Sequence, residues 1–159
     1  LSALDAFCVF LLSLLPYFEG RYALLIGIAL GLSLRVAVAT TLLGTLLLSI
    51  ALPAALGRLD ALLATTNVRP LRRLYDSVID RARRETKRYA RASLPALVAF
   101  VAVPLPGTGV WTGSLIAYLL GLPKRTAIPV LACGGVLSVA IVAIAYKLGA
   151  WTIEGFAFR

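Results

Sequence analysis

Two stretches of this chain, Val36–Leu56 and Thr126–Ala150, are almost purely apolar and carry no charge before Lys147. Their 21 and 25 residues extend about 31 and 37 Å as α-helix, enough to cross a hydrocarbon core of about 30 Å. Both read as membrane-spanning helices. Composition agrees: 60% of the residues are hydrophobic and 14% charged, against about 45–50% and about 25% in an ordinary soluble domain. Mean hydropathy is +0.93. So much apolar surface exceeds what 159 residues can bury, and it excludes a disordered chain, a collagen-like chain and most soluble enzymes.

The net charge of +9 suggests a nucleic-acid binder until the charges are located. Ten of the sixteen cations lie between Arg58 and Arg91, on a single stretch without a recognised nucleic-acid motif. No nucleic acid is expected as a partner. The absence of histidine removes a histidine-ligated metal and a Ser-His-Asp relay. Cys8 and Cys133 sit in apolar runs without metal or disulfide spacing. Catalysis, a metal site and a cofactor are therefore not expected. The chain lacks methionine and begins at Leu1, which reads as a trimmed terminus. Asp5 and the lack of a basic leader or small-residue cleavage site argue against a signal peptide.

Two further apolar blocks, 1–34 and 94–122, are interrupted halfway. PYFEGRY (Pro16–Tyr22) breaks the first and PLPGTG (Pro104–Gly109) the second. Proline stops a helix and glycine permits the reversed backbone that follows. The legs on either side hold about 10–15 residues, or about 15–22 Å, too short to span. These blocks read as re-entrant hairpins, with two kinked full spans as the alternative.

Shifting the sequence by 90 residues without gaps aligns Leu15-Pro16 with Leu105-Pro106 and Leu30-Gly31-Leu32 with Leu120-Gly121-Leu122. The same shift pairs Arg35 with Arg125, Ala37 with Ala127, and Gly44 with Gly134. The expected fold is an all-α integral membrane protein built as an inverted repeat. Repeat 1 covers 1–57 (hairpin 1–34, transmembrane helix 36–57) and repeat 2 covers 94–150 (hairpin 94–122, transmembrane helix 126–150). A basic connector occupies 58–92 and a tail 151–159. A hairpin returns to its own side and the single span then crosses, so the halves lie in opposite orientations, as in many secondary transporters.

The positive-inside rule places the connector, with Lys124 and Arg125, on the cytoplasmic side of the inner (plasma) membrane, as part of a multi-pass protein. Trp151, Phe156 and Phe158 suit an interfacial aromatic belt. Within the connector, Leu71, Leu74, Tyr75, Val78, Ile79, Ala82, Thr86 and Tyr89 fall at helical spacing. An amphipathic helix lying on anionic lipid headgroups is expected there, with a solvated connector as the alternative.

Candidate functional residues lie at the two interruptions. Glu19 and Arg21 are ionisable groups at bilayer depth, where charge is costly and points to function. Two apart, they should face different sides of a helix and not neutralise each other. Glu19 is placed to exchange a proton or an ion, or else to rest on the start of the following leg. Gly20 belongs to the same turn. In the second turn Pro106, Gly107 and Gly109 let backbone N–H groups approach a ligand, with Thr108, Trp111 and Thr112 beside them. The next leg begins at Val110, so the spot should favour an anion, unless the glycines serve only a tight turn. Arg35 and Arg125, at the hairpin mouths, reach inward to Glu19 or a substrate, or snorkel to headgroups. Tyr17, Tyr22, Trp111 and Tyr118 line a route for an amphipathic substrate or simply pack.

The early P-x-x-E-G-R element together with PLPGTGVWTGSLIAYLLGLP resembles the small multidrug export protein family of prokaryotic membrane proteins, itself distantly similar to the DedA/VTT superfamily. That resemblance implies an ion-coupled transporter, or a flippase for lipid-linked phosphates, with Glu19, Arg21, Arg35 and Arg125 at the matching positions. The reading is a proton- or ion-coupled secondary transporter moving an anionic or amphipathic small molecule. A flippase or scramblase of phosphate-headed lipids is one alternative, and a non-transporting scaffold that binds anionic lipid through the basic helix is another. Gly44 and Gly134 permit close helix approach, so a homodimer is expected.

Overall fold

A computed structural model describes residues 3–65 and 93–157. Its described residues form six helices and no strand: α1 Ala3–Leu14, α2 Glu19–Ala29, α3 Leu34–Thr65, α4 Ser93–Ala102, α5 Val110–Leu119 and α6 Lys124–Ala157. The connector helix expected from Leu71 to Tyr89 lies outside the described residues, as do the side chains of Trp151, Phe156 and Phe158. The first long helix runs on past Leu56, through Arg58, to Thr65.

The two long helices contain apolar segments Leu34–Leu59 and Lys124–Ala150 of 26 and 27 residues, about 39 and 40 Å long. Only 33% of each segment's most apolar window is buried within the protein. Leu43, Leu47, Ile50, Leu137, Ile141 and Ile144 point outward. A soluble core helix would hide such residues, whereas lipid solvates them.

The long helices lie antiparallel. Gly57 of α3 abuts Lys124 at the start of α6, and Gly135 meets Thr45 further along. Around this pair α1 and α2 pack on α3, while α4 and α5 pack on α6. The short helices also reach across, α2 to α6 and α5 to α3. One buried cluster forms in each half. Val9, Ala23, Leu24, Leu32 and Ala37 enclose Val139 from the opposite half, and Leu97, Val101, Val110, Ala117, Ala127 and Leu131 enclose Leu48.

Local sequence explains where the short helices end. Gly31 and Gly121 have φ of 89° and 66°, and each follows the last turn of its helix. Leu32 N–H donates to the Gly27 carbonyl and Leu122 N–H to the Ala117 carbonyl, both at 3.0 Å. These bonds satisfy helix-end carbonyls in Schellman fashion, which explains the shared Leu-Gly-Leu sequence.

Burial along α3 and α6 repeats in the 90-residue register, with Ala37, Thr41, Gly44, Thr45, Leu48 and Ser49 matched by Ala127, Leu131, Gly134, Gly135, Ser138 and Val139. The ungapped register does not extend through α1. Gly44 abuts Ser13 and the Phe10 carbonyl, while Gly134 abuts Val101 and the Val98 carbonyl. Ser13 therefore corresponds to Val101, 88 positions on, and the Pro16–Pro106 match is not an equivalence of position in the packing. The second turn is longer, so the two-residue difference is absorbed there. The same contacts place Gly44 and Gly134 inside the protomer, where they let α1 and α4 approach the long helices rather than presenting a face to a second copy.

Candidate functional site

The two interrupted turns meet. In the first, Tyr17 and Glu19 adopt left-handed backbone, with φ of 75° and 41°. Regular helical spacing therefore does not apply at Glu19, and the expectation that Glu19 and Arg21 point apart is overturned. Arg21 Nη2 donates to Glu19 Oε2 at 2.9 Å, closing an ion pair. Glu19 is 7% exposed and Arg21 4%.

Each charge also serves the second turn. Val110 N–H donates to Glu19 Oε2 at 3.3 Å and Trp111 N–H to Glu19 Oε1 at 3.1 Å. These are first-turn amides of α5, which have no partner within their own helix. A carboxylate is the favoured group there because the helix dipole is positive at that end. Glu19 thus rests on a helix start, but on that of α5 in the other half rather than on its own following leg. Arg21 Nη1 donates to the carbonyls of Val103 and Leu105 at 2.8 and 3.0 Å and to Thr108 Oγ1 at 3.1 Å. Val103 follows the last residue of α4, where the dipole is negative and a cation is favoured. The anion lies at the start of α5 and the cation just past the end of α4.

Thr108 holds the acceptor loop in shape. Its hydroxyl lies 2.6 Å from the Val103 carbonyl and 2.8 Å from that of Leu105. Gly109 makes room for the carboxylate, since a Cβ there would run into Glu19. Trp111 bonds back across the gap, its indole N–H donating to the Leu14 carbonyl at 3.2 Å. The Tyr22 ring lies 5.8 Å from the Arg21 guanidinium, within cation–π range.

Of the residues singled out from sequence, Glu19, Arg21, Thr108, Gly109 and Trp111 converge here. Gly20 is buried against Thr45 and Val139 of the long helices. Pro106 and Gly107 sit exposed on the outside of the turn, and Thr112 is half-buried in the first turn of α5. Arg35 and Arg125 are exposed near the starts of α3 and α6, outside the cluster. Tyr17 is exposed as well.

Sequence reading missed the floor of the site. A small cavity of about 10 Å³ lies beside Glu19 and Arg21, walled by Thr45, Gly135, Ser138 and neighbours. Arg21 Nε and Ser138 Oγ are buried there without a hydrogen-bond partner, an arrangement that calls for a water. The available signal was Thr41-x₃-Thr45-x₃-Ser49, polar groups at helical spacing in an apolar span. Their hydroxyls donate to carbonyls one turn back, each at 2.8 Å.

A family model described as "Putative small multi-drug export protein" matches residues 19–141. The match begins at Glu19, inside the first interruption, and takes in the second turn, all of α3 and about half of α6. No curated protein and no solved structure matches the chain. An export family is one of transporters rather than enzymes, and the two long apolar helices with outward-facing leucines and isoleucines suit a membrane protein. On a match of well over half its length, this chain belongs to the small multi-drug export protein family.

Proposed function

We propose that the chain is a proton- or ion-coupled secondary transporter of the inner (plasma) membrane, in which Glu19 binds the coupling proton and the joined turns are the gate. The observation that carries this reading is the buried Glu19–Arg21 pair, which ties the turn of one half to the helix ends of the other. With Glu19 ionised, its carboxylate fills the place an anionic substrate would take at the start of α5. Protonation cancels that charge and weakens its hold on Arg21 and on the Val110 and Trp111 amides. Those donors then face an anionic or amphipathic guest. The cavity beside Arg21 Nε and Ser138 Oγ is sized for a single water, which is a route for the proton.

Two further features support inverted halves with re-entrant hairpins. Thr45 and Gly135 are equivalent positions 90 residues apart, and they touch each other in an antiparallel helix pair. A two-fold relation across that contact would turn one half into the other. The short helices hold only 10 to 12 residues, about 15–18 Å, half a bilayer core. The cation-rich end that carries Arg58, Lys124 and Arg125 faces the cytoplasm in this reading.

The test uses proteoliposomes loaded with a pH-sensitive dye and given anilinonaphthalene sulfonate as an amphipathic anion. Wild-type protein is expected to couple dye movement to proton flux, and Glu19→Gln to lose the coupling while still folding. Undiminished coupling in Glu19→Gln removes Glu19 from the mechanism.

A further inference from the structure

Away from the joined turns, a hollow of about 430 Å³ opens beside the C-terminal half of α5. Its walls come from Pro53, Leu56 and Gly57 of α3, from Ser114, Ala117 and Tyr118 of α5, and from the turn of residues 120–124 into α6. That volume falls within the range of about 300–1,000 Å³ typical of small-molecule sites. Ala117 is fully enclosed, while Gly121, Pro123 and Lys124 are exposed, so the mouth lies at the α5–α6 turn.

The chemistry of the hollow is one-sided. Pro53, Leu56, Ala117 and Leu122 make apolar walls, and no carboxylate is among the described residues that line it. Among the described lining residues, Lys124 supplies the charge. The Lys124 stem lies along Gly57, where an added Cβ would come within 2.6 Å of Cε and 2.9 Å of Nζ. Gly57 thus makes the berth that holds the ammonium at the rim.

We infer that this hollow binds an amphipathic anion, its apolar body against Leu56 and Ala117 and its acidic head on the Lys124 ammonium. One fixed cation over apolar walls selects this class, because a cationic amphiphile would meet like charge and a hydrophilic anion would lose its hydration against leucine. The site deepens the export reading by naming a substrate class and a loading point at the cation-rich end. It rests on that reading for its role in transport, but not for the binding.

The experiment uses the full chain with Cys8→Ser, Cys133→Ser and Leu56→Cys, in nanodiscs of zwitterionic lipid, and follows maleimide modification of the new thiol. Laurate should protect it, while dodecanol and dodecylammonium, of the same chain length, should not. Lys124→Gln, an exposed change that leaves the fold alone, should raise the laurate concentration needed by roughly ten-fold. Ala117→Phe, which fills the hollow, should abolish protection. Protection by anionic lipid added to the nanodisc marks the bilayer as the source, and protection by laurate alone marks the aqueous phase. Equal protection by all three amphiphiles, or none by laurate, overturns the inference. Glu19→Gln should leave protection intact, so a failure of this site and a failure of proton coupling are read separately.

Discussion

The Glu19 carboxylate accepts a hydrogen bond from the amide of Trp111 at 3.1 Å, 92 positions further along the chain. The Trp111 indole in turn donates to the Leu14 carbonyl at the end of α1. Each turn therefore completes hydrogen bonding that the other leaves open. Where water is excluded, an unpartnered backbone group costs several kcal/mol (roughly 2–7), so these cross-bonds weigh more than their number suggests.

Removing one member of the ion pair should be costly. Arg21→Ala leaves Glu19 without its cation and strips donors from the Val103 and Leu105 carbonyls, a loss of about 3–5 kcal/mol. Arg21→Lys should recover part of it, since an ammonium keeps the charge but cannot reproduce the guanidinium fork. Thermal unfolding in detergent should rank wild type above Lys and Lys above Ala. Equal melting of all three would show that the pair does not hold the turns.

Exchanging the charges should not restore function. Glu19→Arg with Arg21→Glu keeps an opposite pair but sets a cation against the start of α5 and an anion against the carbonyls past α4. The double variant is expected to be at least as unstable as Arg21→Ala. A double variant that melts like wild type would mean that the two charges matter only to each other.

Gly109→Ala places a methyl where the Glu19 carboxylate now sits. The carboxylate must withdraw from the Val110 and Trp111 amides, a loss of about 1–3 kcal/mol. Proton coupling should fall along with stability. Gly107→Ala is the companion control, because its Cβ meets nothing, although φ of 85° adds backbone strain. If the Gly109 variant keeps full coupling, the carboxylate position is not what gates transport.

Gly44→Leu and Gly134→Leu should each destabilise the protomer by about 1–3 kcal/mol through overpacking against Ser13 and Val101. The oligomeric state, read by light scattering in detergent, should not change. A shift in oligomer size with unchanged melting would return these glycines to an interface between copies.

Membrane sidedness follows from the antiparallel long helices. In a background without Cys8 and Cys133, cysteines at Ser33 and Pro123 flank opposite ends of the α3–α6 pair. An impermeant maleimide should label them from opposite faces of sealed vesicles. Labelling of both from one face contradicts the crossing of α3.

Much of the architecture could be read from residue order. The runs after Arg35 and Arg125 are long and uncharged, and a helix is the structure that satisfies every backbone group in lipid without a neighbour. Leu-Gly-Leu ends α2 and α5 in the same way because glycine alone takes the left-handed residue at no steric cost. Glu19 and Arg21 stood out because charge is rare in such surroundings. Their pairing did not, since helical spacing was assumed where Tyr17 and Glu19 leave the helical backbone. Ser138 and Thr45 escaped notice because an isolated hydroxyl in an apolar span usually bonds its own helix, as Thr45 does.

Sequence alone determined where helices run, where proline and glycine break them, and which two charges had to find partners. Tertiary structure decided that Glu19 serves α5 rather than α2, that Gly44 and Gly134 seat short helices, and that a hollow opens beside the end of α5. Every helix start presents the same orphan amides, so local rules cannot say whose carboxylate arrives. The antiparallel packing of α3 on α6, close enough for Thr45 to touch Gly135, makes that choice by bringing the two turns together.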